Sequence, residues 1–194
     1  MSLRLLTITL FLAIMSLLAL QRFSGTPTLS VTVTAIERES NYRTLEELKR
    51  GEVVTTADDF LELQIGQDTR VFLSRNTQVL LLRLFEDEVI LKLKKGRIVV
   101  DTQALTSVQI RTNATEHLIN KSSASFVNYD FLETIHVFPL TGSVQTSIGS
   151  ESLLTPVPLS IRETEPVSYT VIEMNLAQSD AKDFYVWSGV LTDE

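Results

Sequence analysis

The sequence predicts an all-β protein, a short-stranded solenoid-like or sandwich domain behind one N-terminal transmembrane helix. Three observations predict it. Val, Ile and Thr, the β-branched residues that suit a pleated surface, make up 52 of the 194 residues. From residue 30 onward apolar and polar residues alternate in short runs, with turn signals spaced about 8–10 residues apart. The stretch from Leu5 to Leu20 is 16 residues long and contains no charge, Gly, Pro or Asn.

Composition narrows the function classes. Cys is absent, which removes thiol nucleophiles, disulfides and cysteine-ligated metals. Only His117 and His136 are present, too few for a histidine-rich metal centre. The net charge of −7 has the wrong sign for a protein that grips phosphate backbones, so no nucleic-acid partner is expected.

The apolar run comes first. As a helix its 16 residues reach about 24 Å, slightly short of a hydrocarbon core of about 30 Å, and Arg4 and Arg22 extend it by snorkelling. Length alone does not separate an anchor from a cleaved signal peptide. Gln21-Arg22-Phe23 offers no small-x-small cleavage site, which favours the anchor. Only Met1 to Arg4 precede the run, and a short positive N-terminus stays inside, so the rest of the chain is expected outside the cytoplasm.

The remaining elements follow in order. Residues 1–23 form the membrane anchor or signal peptide, and residues 24–50 a linker, a strand over 30–36 and a short helix. That helix is read from Thr44-x-x-Glu47, a capping box, with Gly51 as its stop. Residues 51–150 form the main β-domain, with strands expected near 52–56, 59–65, 70–73, 78–84, 88–94, 97–101, 107–112, 116–119, 122–128, 133–138 and 142–147. Leu61, Leu63, Val71, Leu73, Leu91, Leu93, Val99, Ile110 and Val127 fall on the apolar phase and form the expected core. Residues 151–194 form an extension, with one more strand near Tyr169–Glu173 and a short helix capped by Asn175. Its lone Trp187 and neighbouring aromatics are expected to pack back on the β-domain.

The order of these runs resembles the FecR domain family. The resemblance starts at Leu48-Lys49-Arg50-Gly51-Glu52-Val53-Val54-Thr55-Thr56 and continues through Leu61-Glu62-Leu63, Val71-Phe72-Leu73 and Thr77-Gln78-Val79. It resumes at Leu93-Lys94-Lys95-Gly96-Arg97-Ile98-Val99-Val100, then Val108-Gln109-Ile110-Arg111-Thr112 and Phe126-Val127, and closes at Gly142-Ser143-Val144-Gln145. It implies a solenoid-like extracytoplasmic domain with no catalytic centre and no cofactor. Signalling members act through a cytoplasmic segment that engages a sigma factor. Four residues on that side cannot form a stable helix, so that role is not expected here.

Candidate chemistry is sparse. Asp58-Asp59 and Glu86-Asp87-Glu88 are the densest carboxylates, without the spacing of a calcium loop, and read as solvated turns. His117 and His136 read as structural or surface residues. No Gly-x-Ser-x-Gly elbow and no phosphate-binding Gly loop occurs, so no enzyme is expected and no metal or catalytic residue is assigned. The sequons at Asn113 and Asn120 read as chance triplets. Lys92, Lys94, Lys95 and Arg97 form a basic cluster in an acidic chain, with Lys92 and Lys94 on one strand face. They are the candidate contact for an anionic partner, such as a lipid headgroup or cell-wall polymer. Lysines that guard a sheet against aggregation give the same pattern. The expected function is therefore a membrane-anchored binding or scaffold module for an envelope protein or polymer. A lipid-carrying β-groove protein is the alternative.

Overall fold

A computed structural model describes residues 28–38, 40–103 and 106–192. The expected anchor over residues 1–23 lies outside the described residues. Among the described residues no helix is long and apolar enough to cross a membrane.

The described residues form fifteen strands: β1 Val31–Ile36, β2 Glu47–Leu48, β3 Val53–Thr55, β4 Leu61–Ile65, β5 Thr69–Leu73, β6 Gln78–Leu84, β7 Val89–Thr102, β8 Val108–Arg111, β9 Thr115–Ile119, β10 Ser123–Tyr129, β11 Thr134–Thr141, β12 Val144–Ile148, β13 Glu151–Thr155, β14 Leu159–Arg162 and β15 Ser168–Val171. A 3-10 turn, Leu176–Gln178, and one helix, α1 Lys182–Trp187, close the fold. The strands form two sheets. The first runs β2-β1-β4-β5-β7-β10-β11-β14-β15 and the second β3-β6-β7-β8-β9-β12-β13. Pairing between these strands is antiparallel except for β7 with β8.

Alternation decides which face is inside. Val31, Val33, Leu61, Leu63, Val71, Ile98, Val100 and Val127 from the first sheet meet Leu81, Leu91, Leu93, Ile110 and Val144 from the second in one buried core. All of these are fully inaccessible to solvent, so the space between the sheets is filled by side chains. Val99 is buried as well, but on the opposite face of the first sheet, under the C-terminal segment.

The strand β7 corrects the sequence reading. Strands expected over 88–94 and 97–101 are one continuous strand, and Lys95-Gly96 is a bend within it. Residues before the bend pair with β6 and β8, and those after it with β5 and β10. Gly96 turns the chain from one sheet into the other with φ +94°, a conformation that L side chains rarely adopt. The hydroxyl of Thr77 locks the bend, accepting from Arg97 N at 3.0 Å and donating to Arg97 O at 3.1 Å. A Cβ on Gly96 falls 2.5 Å from Thr77 Cα, a contact that forces the backbone to move. Gly96→Ala is therefore expected to destabilise the protein by roughly 2–3 kcal/mol in urea unfolding. Gly149→Ala, also at positive φ but with open space around it, serves as the milder control.

Two further expectations are corrected. No helix forms over 44–50. Leu45 adopts φ +68°, which stops helix propagation, and in place of a Glu47 bond to Thr44 N the Glu46 carboxylate accepts from Arg43 N at 2.8 Å. Glu47–Leu48 instead joins β1 as an edge strand. Asp59, expected to be solvated, is 4% exposed, with its Oδ1 accepting from Ala57 N at 3.0 Å.

The sheets continue past residue 150. β13 extends the second sheet beside β12, and β14 and β15 extend the first beside β11. Beyond them the chain crosses the outer face of the first sheet. There Leu176, Ala181, Phe184 and Tyr185 pack on Phe60, Phe72, Val99 and Phe126, with Trp187 alongside. Asn175 Oδ1 accepts from Ala177 N at 3.1 Å to start the 3-10 turn, and Gly189 at φ +75° ends α1. Of the helix expected from Asn175 through Ala181 only the 3-10 turn Leu176–Gln178 forms, and the α-helix follows it over Lys182–Trp187. Ring centroids of Phe126 and Tyr185 lie 5.2 Å apart edge to face, and those of Phe60 and Phe184 5.4 Å apart.

A polar cluster interrupts the core between β9, β12 and the end of β14. His117 is fully buried, with Nε2 3.0 Å from Thr115 Oγ1 and Nδ1 3.1 Å from Thr146 Oγ1. Glu163 accepts from Ala114 N at 2.9 Å and from Thr115 Oγ1 at 3.0 Å, and Thr112 Oγ1 also donates to it. Burial lowers the His117 pKa to about 4, against a weaker opposing pull from Glu163. Burial and the nearby Glu163 raise that of Tyr129.

Candidate functional site

The β7 bend places the candidate basic residues in two locations. Lys92 and Lys94 precede it and face outward from the second sheet, where Lys92 lies opposite Leu80 and Arg111. Lys95 and Arg97 reach a cleft of about 400 Å³ at the bend itself, lined also by Arg75, Asn128 and Phe131. The four residues therefore form no single basic patch.

Charge in the cleft is largely balanced internally. Arg97 pairs with Asp180 of the C-terminal segment at 2.9 Å, and this hydrogen bond holds the Asp180 carboxyl below its ordinary range. Arg75 pairs with Asp183 at 3.0 Å and with Glu37 at 3.2 Å, and its guanidinium lies 4.3 Å above the Phe60 ring. Such exposed pairs contribute about 0–1 kcal/mol each. Burying an aromatic side chain contributes about 1.5–3 kcal/mol. The aromatics therefore hold the C-terminal segment in place, and the ion pairs set its register over the cleft.

The β10–β11 loop forms the rim. Phe131 is 90% exposed and Leu132 63% exposed. The loop is nonetheless well defined by hydrogen bonds. Asp130 Oδ1 accepts from Leu132 N at 2.8 Å and Thr134 N at 3.0 Å, and Glu133, at φ +56°, accepts from Glu163 N at 2.9 Å. Two large apolar side chains are thus held out in water by a hydrogen-bonded turn. Sequence reasoning missed them, although the signal was present: Asp130-Phe131-Leu132 falls between two expected strands, where polar residues are the rule.

The cleft lies at the end of the first sheet away from the chain's entry. Thr28 bridges Phe85, and Val31 opposes Ile65 at the end where Thr69, Thr102 and Ser123 meet. Gly96 opposes Tyr129 at the other end. The length of β10 separates the two, about 20 Å of extended chain. His136 lies between, half-buried opposite Asn128, and burial lowers its pKa. Among the described residues no group of three or more His, Asp or Glu converges as a metal site.

No family model matches the chain, and no curated protein matches it. Solved structures do. One, a "putative anti-sigma factor" from Parabacteroides distasonis, superposes with a TM-score of 0.55 at 13% identity, covering 71% of this chain and 64% of its own. A second of the same description gives a TM-score of 0.53 at 12% identity, covering 63% of this chain and 60% of its own. The protein thus has the all-β fold of these two structures and spans less than two thirds of either.

Proposed function

We propose that the protein is a non-catalytic, FecR-like binding or scaffold module, anchored in the membrane by residues 5–20, with its β-body outside the cytoplasm. The observation that carries this reading is the hydrogen-bonded turn that exposes Phe131 and Leu132 beside the cleft. An apolar pair held in water is costly unless a partner covers it, and aromatic residues near Arg are typical interface anchors. Its position at the end away from the membrane tether directs it toward another envelope protein rather than the anchoring bilayer. The likeness in fold to the two anti-sigma factor structures supports the same reading. A lipid carrier needs a lasting apolar cleft between its sheets, and here that space is packed.

The experiment is a photoreactive residue at position 132 in cells. It is expected to yield an adduct with one envelope protein, and Phe131→Ala should abolish that adduct while leaving thermal unfolding unchanged. Adducts with lipid alone would turn the assignment toward the carrier. Reporter fusions at residue 30 and at the C-terminus test the topology, and activity of a cytoplasm-only reporter at either point would overturn it.

A further inference from the structure

The two sheets do not end in step. The second sheet stops at β13, and only Pro156–Pro158 separate it from β14 in the first sheet, a connection short enough to set the end of β13 across the core from the start of β14. The first sheet goes one strand further, to β15. Cross-strand partners share a face, so Tyr169 and Val171 face the same side as Ile161 and Leu159, which oppose them on β14. Ile161 and Leu159 are buried in the core. Tyr169 is 45% and Val171 65% exposed, because no described strand of the second sheet lies over them. Among the described residues the outer edge of β13 is unpaired as well, and its strand carries no Lys, Arg or Pro, the usual guards of an edge.

We propose that this step is a strand-acceptor site: an extended segment of another protein pairs with the free edge of β13 and lays alternate apolar side chains on Tyr169 and Val171. Strand geometry fixes what the guest must look like. Every second side chain faces the floor and is apolar, and those between face water. Charge fixes its ends. Glu151, Glu165 and Glu173 flank the site, all exposed, and from residue 143 through 173 the only basic residue is Arg162. The guest therefore carries Lys or Arg at its termini. The site is separate from the Phe131–Leu132 turn and does not depend on the function proposed for it.

The test uses the full chain in detergent micelles with the synthetic peptide Lys-Val-Thr-Val-Thr-Val-Lys. Hydrogen exchange is expected to slow on binding within Glu151–Thr155 and nowhere in β2 or β3, the edges at the other side of the sandwich. Val171→Glu with Tyr169→Glu is expected to weaken binding about tenfold or more, as loss of an anchor does, with the circular dichroism spectrum unchanged. Phe131→Ala is expected to bind as tightly as the parent, which separates failure here from failure at the distal cleft. Equal binding by a scrambled peptide of the same composition, or no slowing in Glu151–Thr155, overturns the proposal. So does slowing there that rises with protein concentration in the absence of peptide, because the occupant would then be a second copy of the chain.

Discussion

Phe184→Ala is expected to cost about 3–5 kcal/mol of unfolding free energy in urea, the range for deleting a fully buried aromatic side chain. Phe184 has no exposed surface and sits against both Phe60 and Tyr185. The helix that carries it spans only Lys182–Trp187, and its N-cap Ala181 makes no side-chain capping bond. A helix that short has no stability of its own. Losing the Phe184 ring should therefore release the whole C-terminal segment and uncover Phe72, Val99 and Phe126. Binding of an apolar dye that rises together with the lost stability would confirm release. Phe131→Ala is the control, expected to change stability by less than about 0.5 kcal/mol. A loss below about 1 kcal/mol at Phe184 would mean that the segment does not depend on its aromatics.

Acidification from pH 6.5 to pH 4 should remove about 3 kcal/mol of stability through His117 alone. The folded pKa, about 4, lies below the ordinary value of 6.5 because burial disfavours the imidazolium. Between the two values the unfolded chain binds a proton that the folded chain does not, so stability falls as pH falls. Above pH 6.5 the contribution is complete, and below pH 4 both states are protonated and this loss stops growing. The Glu163 carboxylate faces the ring across Thr115 and opposes the shift, but it does not reverse it. Urea midpoints measured at half-unit pH steps should show this slope, and His117→Gln should flatten it. A variant that kept the parent's slope would place the acid sensitivity elsewhere.

Most of the fold was legible in alternation. Leu61-Glu62-Leu63-Gln64-Ile65 reads as a half-buried strand because its period matches the pleat, and β4 occupies those residues. Where the sequence misled, a special backbone conformation had overruled a local motif. Thr44-x-x-Glu47 carries the letters of a capping box, yet Leu45 at positive φ forbids the helix. Lys95-Gly96 carries the letters of a turn, yet Thr77, close in space only after folding, holds it as a bend inside β7. The candidate site was legible by half. Lys95 and Arg97 were visible as charge, whereas Arg75, Asp180 and Asp183 join them through pairing that no local pattern announces.

The strand shared by both sheets has a consequence for how the chain reaches this state. β7 is hydrogen-bonded to β5, β6, β8 and β10, so neither sheet has its central strand until Val89–Thr102 is in place. Such pairings close long loops before they gain much burial, which makes the search slow. Once the strand docks, the registers of both sheets are set together by the single bend at Gly96. Neither layer is then a separable folding unit, and the transition should be all-or-none. A nascent chain released before Thr102 emerges would leave the β7-facing edges of β5 and β6 without a partner, a species prone to aggregate until β7 joins them.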